Sequence, residues 1–366
     1  MEERRPVIKI TAQAPANIAL IKYWGKKDFQ LPQNASLSLT LDQMQATCTL
    51  TGIAARDFKL TITLNGKKIS AEDRLYNWWE YLRENLVQLR PENSDLGLGH
   101  FDLRSEVNFP MRAGLASSAA GFAACASAVW AYCQVKQNKL ANFPGKQGIT
   151  LAAKDLAQDD LATISRWARW GSGSAARSVA GPCMLWGACP EEKNANDDFA
   201  IIPSFACHTA GWMDAVVVVE ENPKKISSSY GHQLMSNHPA AALRYMAAGQ
   251  NLQKMILAWK QHDLNTIFTL VEQEAWMLIA LMLTSNPPLN VLTPATLEVI
   301  SEVQRWRAVE KMAVAFSLDA GPNVHILAPP EAADAVQKKV REKFSCWPIY
   351  FNRTGSGIKL HIVEEF

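Results

Sequence analysis

The 366-residue sequence has no long apolar run. Its longest, Ala275 to Leu283, is nine residues, whereas a membrane-spanning helix needs about 20. It has almost no charge imbalance, since 37 basic residues against 35 acidic ones leave +2. That provides no electrostatic footprint for nucleic acid and no polybasic cluster for a lipid surface. There is no Cys-x-x-Cys pair and no cysteine–histidine cluster at zinc spacing. The seven cysteines are scattered at 48, 125, 133, 183, 189, 207 and 346, and they read as free thiols behaving as small buried hydrophobes. The opening Met-Glu-Glu-Arg-Arg-Pro leads straight into a strand-like stretch without an apolar signal core, so a cytoplasmic location is expected. Internal repeats and low-complexity segments are missing too.

What is present is an ordinary globular composition, 48% hydrophobic and 20% charged, which excludes a disordered or collagen-like chain. At roughly 100–200 residues per domain the length suits two domains. A second unit starts near Phe205, which divides the chain into 1–204 and 205–366. Strand patterns cover Val7–Thr11, Ile18–Ile21, Ser36–Leu41, Thr47–Thr51, Phe58–Leu64 and Phe101–Asn108. Helical spacing marks Asp73–Leu89, Ala113–Cys133, Lys154–Trp170, His238–Trp259, Asp263–Leu283, Pro294–Val309 and Glu331–Phe344. Ser227 to Gly231 reads as a polar, glycine-ended loop. Strands and helices mix without strict alternation, which points to an α+β enzyme. The twelve tryptophans fall largely in helix-like segments and read as core, because base stacking would want basic residues interleaved on one face.

The strongest local signal is Pro110-Met111-Arg112-Ala113-Gly114-Leu115-Ala116-Ser117-Ser118-Ala119-Ala120-Gly121. Small residues let a backbone approach a phosphate, and the loop feeds a helix N-terminus whose free N–H groups favour anions. Ser117 and Ser118 add hydroxyls. Composition alone leaves open a small-residue helix packed tightly against a sheet. Walker A chemistry needs Gly-Lys-Ser/Thr, which is missing here, and no G-x-G-x-x-G follows a strand.

The loop resembles the ATP loop of the GHMP kinase superfamily. Within it, five blocks in order resemble the diphosphomevalonate decarboxylases: Ala14 to Asp28, Asn34 to Leu41, Gly114 to Ala124, Ser165-Arg166 with Gly171 to Ser178, and Asp319-Ala320-Gly321-Pro322-Asn323. The resemblance implies an N-terminal α/β domain that carries ATP, a C-terminal ferredoxin-like domain, and a site between them. It implies ATP and Mg2+ as cofactors and conversion of mevalonate 5-diphosphate to isopentenyl diphosphate, CO2, ADP and phosphate through 3-phosphorylation. It also implies a homodimer whose only ligands are small molecules, with neither nucleic acid nor membrane as partner.

Roles carry over residue by residue. The resemblance implies that Asp319 is the base for the 3-hydroxyl, that Lys22 lies beside it, and that Arg177 binds the substrate carboxylate. It gives the substrate diphosphate to Tyr23, Ser172 and Ser174, with Asn17, Lys26, Ser228 and Ser229 as further substrate contacts. Nucleotide contacts fall on Ser105, Asn108, Ala113, Gly114, Leu115, Ala116, Ser117 and Ser118. No protein metal ligand is expected. On position alone, Asp319 also suits a turn aspartate capping its own backbone, and Arg177 a surface salt bridge.

The chain departs from the family pattern at Arg112, at Ala176 for a usual cysteine, at His232 for a methionine, and at Ile279 for a histidine. A surface position is expected for His232 and a structural role for Arg166. Two alternatives stay open on the same fold: a decarboxylase of mevalonate 5-phosphate, and a small-molecule kinase that does not decarboxylate. A non-catalytic binding protein would show a damaged ATP loop.

Overall fold

The computed structural model describes residues 7–89, 96, 98–110, 116–137, 148–222 and 228–365. The chain runs β1 (Val7–Ile21), β2 (Ser36–Ile53), β3 (Phe58–Leu64), β4 (Lys67–Lys68), α1 (Arg74–Leu89), β5 (Gly99–Val107), α2 (Ser117–Lys136), β6 (Ile149–Ala152), α3 (Gln158–Gly171), β7 (Cys183–Trp186) and β8 (Ala200–Ile201). It continues with β9 (Met213–Val217), α4 (Ser228–Leu234), α5 (Ala241–Gln261), α6 (Leu264–Leu283), α7 (Pro294–Ala308), β10 (Ala315–Leu318), β11 (Val324–Ala328), α8 (Ala333–Lys343), β12 (Ile349–Arg353) and β13 (Lys359–Glu365). The architecture is mixed α+β.

Two sheets organise these elements. The larger has nine strands in the order β4-β3-β5-β2-β1-β13-β6, with β7 and β8 extending from β2. The smaller is β10-β11-β9-β12, antiparallel throughout. The paired short strands expected near the N-terminus are in fact two long strands, β1 and β2, running antiparallel with a register shift between Pro15 and Ala16. A proline cannot donate to a ladder, so it sits at the irregularity. Beyond it, Ala16 to Ile21 are buried on both faces, which drives the end of β1 into the centre of the molecule.

Helix α2 packs across β1 and β2. Fifteen of its twenty residues are buried, so it has no polar face and behaves as a core helix. Its alanines keep it close to the sheet and bring its first turn to the end of β1. Tryptophans 79, 186, 259 and 306 are fully buried, as expected of core residues.

One face of the small sheet is covered by a second apolar core that includes Ala275 and Ile279 of α6, Trp306 of α7, Val340 of α8, Phe316 and Ile326. The other face carries Ser317, His325, Asp214 and Asn352, and it turns toward the large sheet. There the Asn352 side-chain oxygen accepts from the backbone N–H of Met44 at 3.0 Å. Helix α6 is long and apolar enough to cross a membrane by length and composition alone, but it packs against α5 and β10 with most of its apolar side chains buried.

Two elements differ from the sequence expectation. Strand β13, within the expected 205–366 unit, pairs with β1 and β6 in the large sheet, so that portion ends back in the N-terminal layer. Ser228 to Gly231 open a helix, not a loop. Gly231 packs so tightly on Trp24 that a Cβ there would lie 2.5 Å from the indole, and this close contact seats α4.

Candidate active site

A cavity of about 580 Å³ opens where β1, α1, α2, the turn after α3, α4 and the β10–β11 connection meet. Lys22, Tyr23, Ser118, Arg177, His232 and Asp319 all line it. Lys22 lies one residue past β1 and is 1% exposed. Its Nζ donates to Ser317 Oγ at 2.9 Å and to Asp319 Oδ1 at 3.1 Å. Burial lowers the Lys22 pKa, and the facing Asp319 carboxylate works against that shift.

A second buried charge pair fixes the Lys22 backbone. Its N–H donates to Glu274 Oε2 at 2.9 Å. Its carbonyl accepts from Arg244 Nη2 at 3.2 Å and from Asn34 Nδ2 at 3.1 Å. Arg244 in turn holds Glu274 through bonds of 2.6 and 3.1 Å, and Asn251 adds one of 2.7 Å. Arg244, Asn251 and Glu274 are all buried. A pair in this setting is strongly coupled, because removing one partner strands a charge in a low-dielectric interior. The lysine therefore approaches Asp319 from a backbone held at both its N–H and its carbonyl.

Arg177 closes the short turn Gly173–Arg177 after α3 and is 2% exposed. Its guanidinium lies 6.0 Å from the Trp186 ring centre. Its Nε and Nη1 are buried with no hydrogen-bond partner among the described residues. Burial pushes its pKa down to about 10, against the attraction of Asp319. Unpaired buried donors are costly, and Arg177 lines the cavity, so its guanidinium is placed beside the space an anionic ligand group would occupy.

A row of hydroxyls crosses from the helix start to this turn. Ser118 Oγ is 3.4 Å from Ser172 Oγ, which is 3.3 Å from Ser174 Oγ. Asn17 braces the turn from β1, donating to Ser178 Oγ at 2.7 Å and to the Ser174 carbonyl at 3.1 Å. Tyr23 lies against Gly173, where a Cβ would come within 2.6 Å of its hydroxyl. Lys26 Nζ is 3.2 Å from Gln30 Oε1 at the cavity wall. Ser105 of β5, Ala116, Ser117 and Ser229 also line the cavity. The structure thus brings together Asn17, Lys22, Tyr23, Lys26, Ser105, Ala116, Ser117, Ser118, Ser172, Ser174, Arg177, Ser229 and Asp319.

Other expected contacts fall elsewhere. Asn108 is exposed and lies outside the cavity lining. Its side chain accepts from Gln45 N and donates to Gln43 O, both at 2.8 Å, which ties the end of β5 to β2. Ala113, Gly114 and Leu115, with Arg112, lie outside the described residues, as does the side chain of Ser228. Ile279 belongs to the apolar core under the small sheet, and its neighbour Leu278 lines the cavity. Arg166 is structural, paired with Asp198.

His232 is not a surface histidine. Its ring stands 4.5 Å from both the Tyr23 and Trp24 rings, and its Nδ1 accepts the Gly25 N–H at 3.0 Å. Sequence reasoning missed Arg74, which lines the cavity and donates to the Gly171 carbonyl. It also missed the Arg244–Glu274 pair and Ser317. Glu272 and Glu274 immediately before an apolar run were the available signal, since charges inside a core helix are seldom unpaired.

The description "Diphosphomevalonate decarboxylase-like N-terminal domain" fits residues 14–197, and "Mevalonate 5-diphosphate decarboxylase C-terminal domain" fits 215–356. The diphosphomevalonate decarboxylase of Schizosaccharomyces pombe is 33% identical over 91% of this chain and 81% of its own length. That of Bos taurus is 31% identical over 94% and 82%. Among solved structures, the mevalonate diphosphate decarboxylase of Staphylococcus aureus superposes with a TM-score of 0.77 at 26% identity, covering 97% of this chain and 98% of that one. A complex described as MDDEF with MVAPP, AMPPCP and magnesium superposes at 0.76 and 27% identity, covering 97% and 99%. With both halves matched and relatives aligned along nearly the whole length, the chain belongs to the diphosphomevalonate decarboxylase family.

Proposed function

We propose that this chain uses ATP to convert mevalonate 5-diphosphate to isopentenyl diphosphate, CO2, ADP and phosphate, a step of the mevalonate pathway. The observation that carries this is one cavity in which the Lys22–Asp319 pair meets the unpartnered guanidinium of Arg177 beside the start of α2. We assign 1–204 to the nucleotide-carrying unit and 205–366 to its partner unit, apart from the return of β13, and we infer a cytoplasmic homodimer.

Each residue has a task that its chemistry suits. The first turn of α2, with Ser117 and Ser118, receives the nucleotide phosphates, and Ser105 lies near the nucleotide. Ser172, Ser174, Tyr23 and Lys26 receive the substrate diphosphate, while Asn17 holds their turn in place. Arg177 offers two donors to the carboxylate in the fork geometry that carboxylates accept. Asp319 takes the proton of the 3-hydroxyl as that oxygen attacks the γ-phosphoryl group. Lys22 pairs with Asp319 and fixes its direction.

The 3-phosphate then leaves with the C–O bonding pair. The bond to the carboxylate breaks, its electrons form the new double bond, and CO2 departs. The residues present fit a magnesium ion carried in by the nucleotide: hydroxyls stand at the phosphate end, and no trio of His, Cys, Asp or Glu among the described residues could hold a metal ion. Bound there, the ion would neutralise phosphate charge.

The test is turnover of mevalonate 5-diphosphate and of mevalonate 5-phosphate in parallel, with ATP and magnesium, following ADP and CO2 together. Equal ADP and CO2 from the diphosphate is the expected result. Preference for the monophosphate would overturn the substrate assignment. ADP without CO2 would make the protein a kinase.

A further inference from the structure

Beneath Lys22 lies a buried polar pair that the chemistry above does not use. His325 is on β11, the strand between β10 and β9. On one flank its Nδ1 lies 3.0 and 3.1 Å from the two Asp214 carboxylate oxygens. On the other flank it faces Ser317, its direct partner in the β10–β11 register. His325 and Asp214 are 2% and 1% exposed. The other imidazole nitrogen, Nε2, is buried with no hydrogen-bond partner among the described residues. Ser317 already spends an oxygen lone pair on Lys22 Nζ, so its hydroxyl proton remains to be placed. Directly opposed side chains on one face of an antiparallel pair have Cβ atoms about 4.5–5.5 Å apart.

We propose that Asp214 and His325 are positioning residues for Lys22. Asp214 fixes the imidazole with its proton on Nδ1. Nε2 is then an acceptor, and it takes the Ser317 hydroxyl proton, directly after a side-chain rotation or through one buried water. Ser317 is thereby oriented with a lone pair toward Lys22 Nζ, which is aimed at Asp319. The chain of contacts runs from Asp214 through His325, Ser317 and Lys22 to the carboxylate assigned as base. It rests on the roles proposed above for Lys22 and Asp319.

His325→Asn keeps a donor toward Asp214 and lacks the acceptor at the Nε2 position. His325→Gln retains a polar group near that position. Expected is a fall in kcat of about tenfold in His325→Asn, the size of one hydrogen bond's net contribution, with KM for ATP unchanged. Partial recovery is expected in His325→Gln, and no further loss when His325→Asn is added to Ser317→Ala. Nitrogen NMR of labelled protein should show one histidine, absent in His325→Asn, protonated on Nδ1 and bare on Nε2.

Unchanged kcat in His325→Asn, additive loss with Ser317→Ala, or an imidazole protonated on Nε2 would each overturn the proposal. If His325→Asn fails to fold, the loss of one signal in His325→Gln assigns the imidazole, and its tautomer in the native protein still decides it. Lys22→Met assayed alongside separates the two levels. Full turnover there would remove the parent assignment of Lys22, whereas a dead Lys22→Met with an unaffected His325→Asn would remove only this one.

Discussion

The two ends of the cavity offer different donors to an anion. At the α2 end the hydroxyls of Ser117, Ser118, Ser172 and Ser174 predominate, with Arg74 over Phe122 the cation beside them. At the β10 end the donors are Lys22 and Arg177, both at most 2% exposed, with Lys22 paired to Asp319. Hydroxyls rotate cheaply and adapt to a ligand that must come and go. Buried charges do not adapt, so the protein invests a network reaching Glu274, Arg244 and Asn251 in fixing them. The hydroxyl-rich end is suited to exchange of nucleotide, and the end with the buried charges to holding one proton and one carboxylate in register.

Four substitutions or conditions test that contrast. The largest effect is expected at the end with the buried charges. Asp319→Asn should cut ADP and CO2 release by about a hundred- to ten-thousandfold while nucleotide binding persists. Full turnover in that variant would remove Asp319 as base. Glu274→Gln should destabilise the fold by about 3–5 kcal/mol, because Arg244 loses its buried counter-charge. Chemical denaturation measures it, and a change under 1 kcal/mol would mean that the pair is dispensable.

The next test is pH. The native pKa of Lys22 lies below its unfolded value near 10.4. Between the two, the unfolded chain binds more protons, so the stability contribution of this group should rise with pH across that window. Activity should fall across the same window as the charge opposite Asp319 is lost. Melting curves on wild type and Lys22→Met check the first trend, which the variant should lack, and a pH–rate profile checks the second. The smallest effect is expected at the hydroxyl-rich end, where Ser118→Ala should raise KM for ATP by about three- to tenfold with little change in kcat. A collapse of kcat in Ser118→Ala would erase the contrast between the ends.

Much of this was legible in the sequence, and what was missed follows a physical rule. Residues in short ordered blocks were found: Lys22 and Tyr23 at the end of an apolar strand, Ser117 and Ser118 at a helix start, Asp319 before its turn. Missed were partners that meet only through the fold. Glu274 reaches Lys22 across 252 positions and Arg244 reaches it across 222, separations that local periodicity does not record. Asn108 sits next to the phosphate loop in sequence, while among the described residues its side chain bonds to the backbone of β2. Helix α4 was read as a loop because Ser-Ser-Tyr-Gly has weak helix propensity. Its contact with Trp24 overrides that preference. The register shift at Pro15 made one long strand look like two.

The return of β13 also bears on how the protein is made. Strand β1 is synthesised long before β13, yet one of its two edges waits for residues 359–365. Until they emerge, Val7 to Gln13 expose unpaired N–H and C=O groups along that edge, and β6 has no partner strand. The whole small sheet is synthesised inside that interval. Pairings between positions as distant as Val7 and Glu365 form slowly, since loop closure precedes the contacts that reward it. The nascent chain therefore carries an open sheet edge until β13 emerges, the kind of surface that chaperones cover and that aggregation exploits.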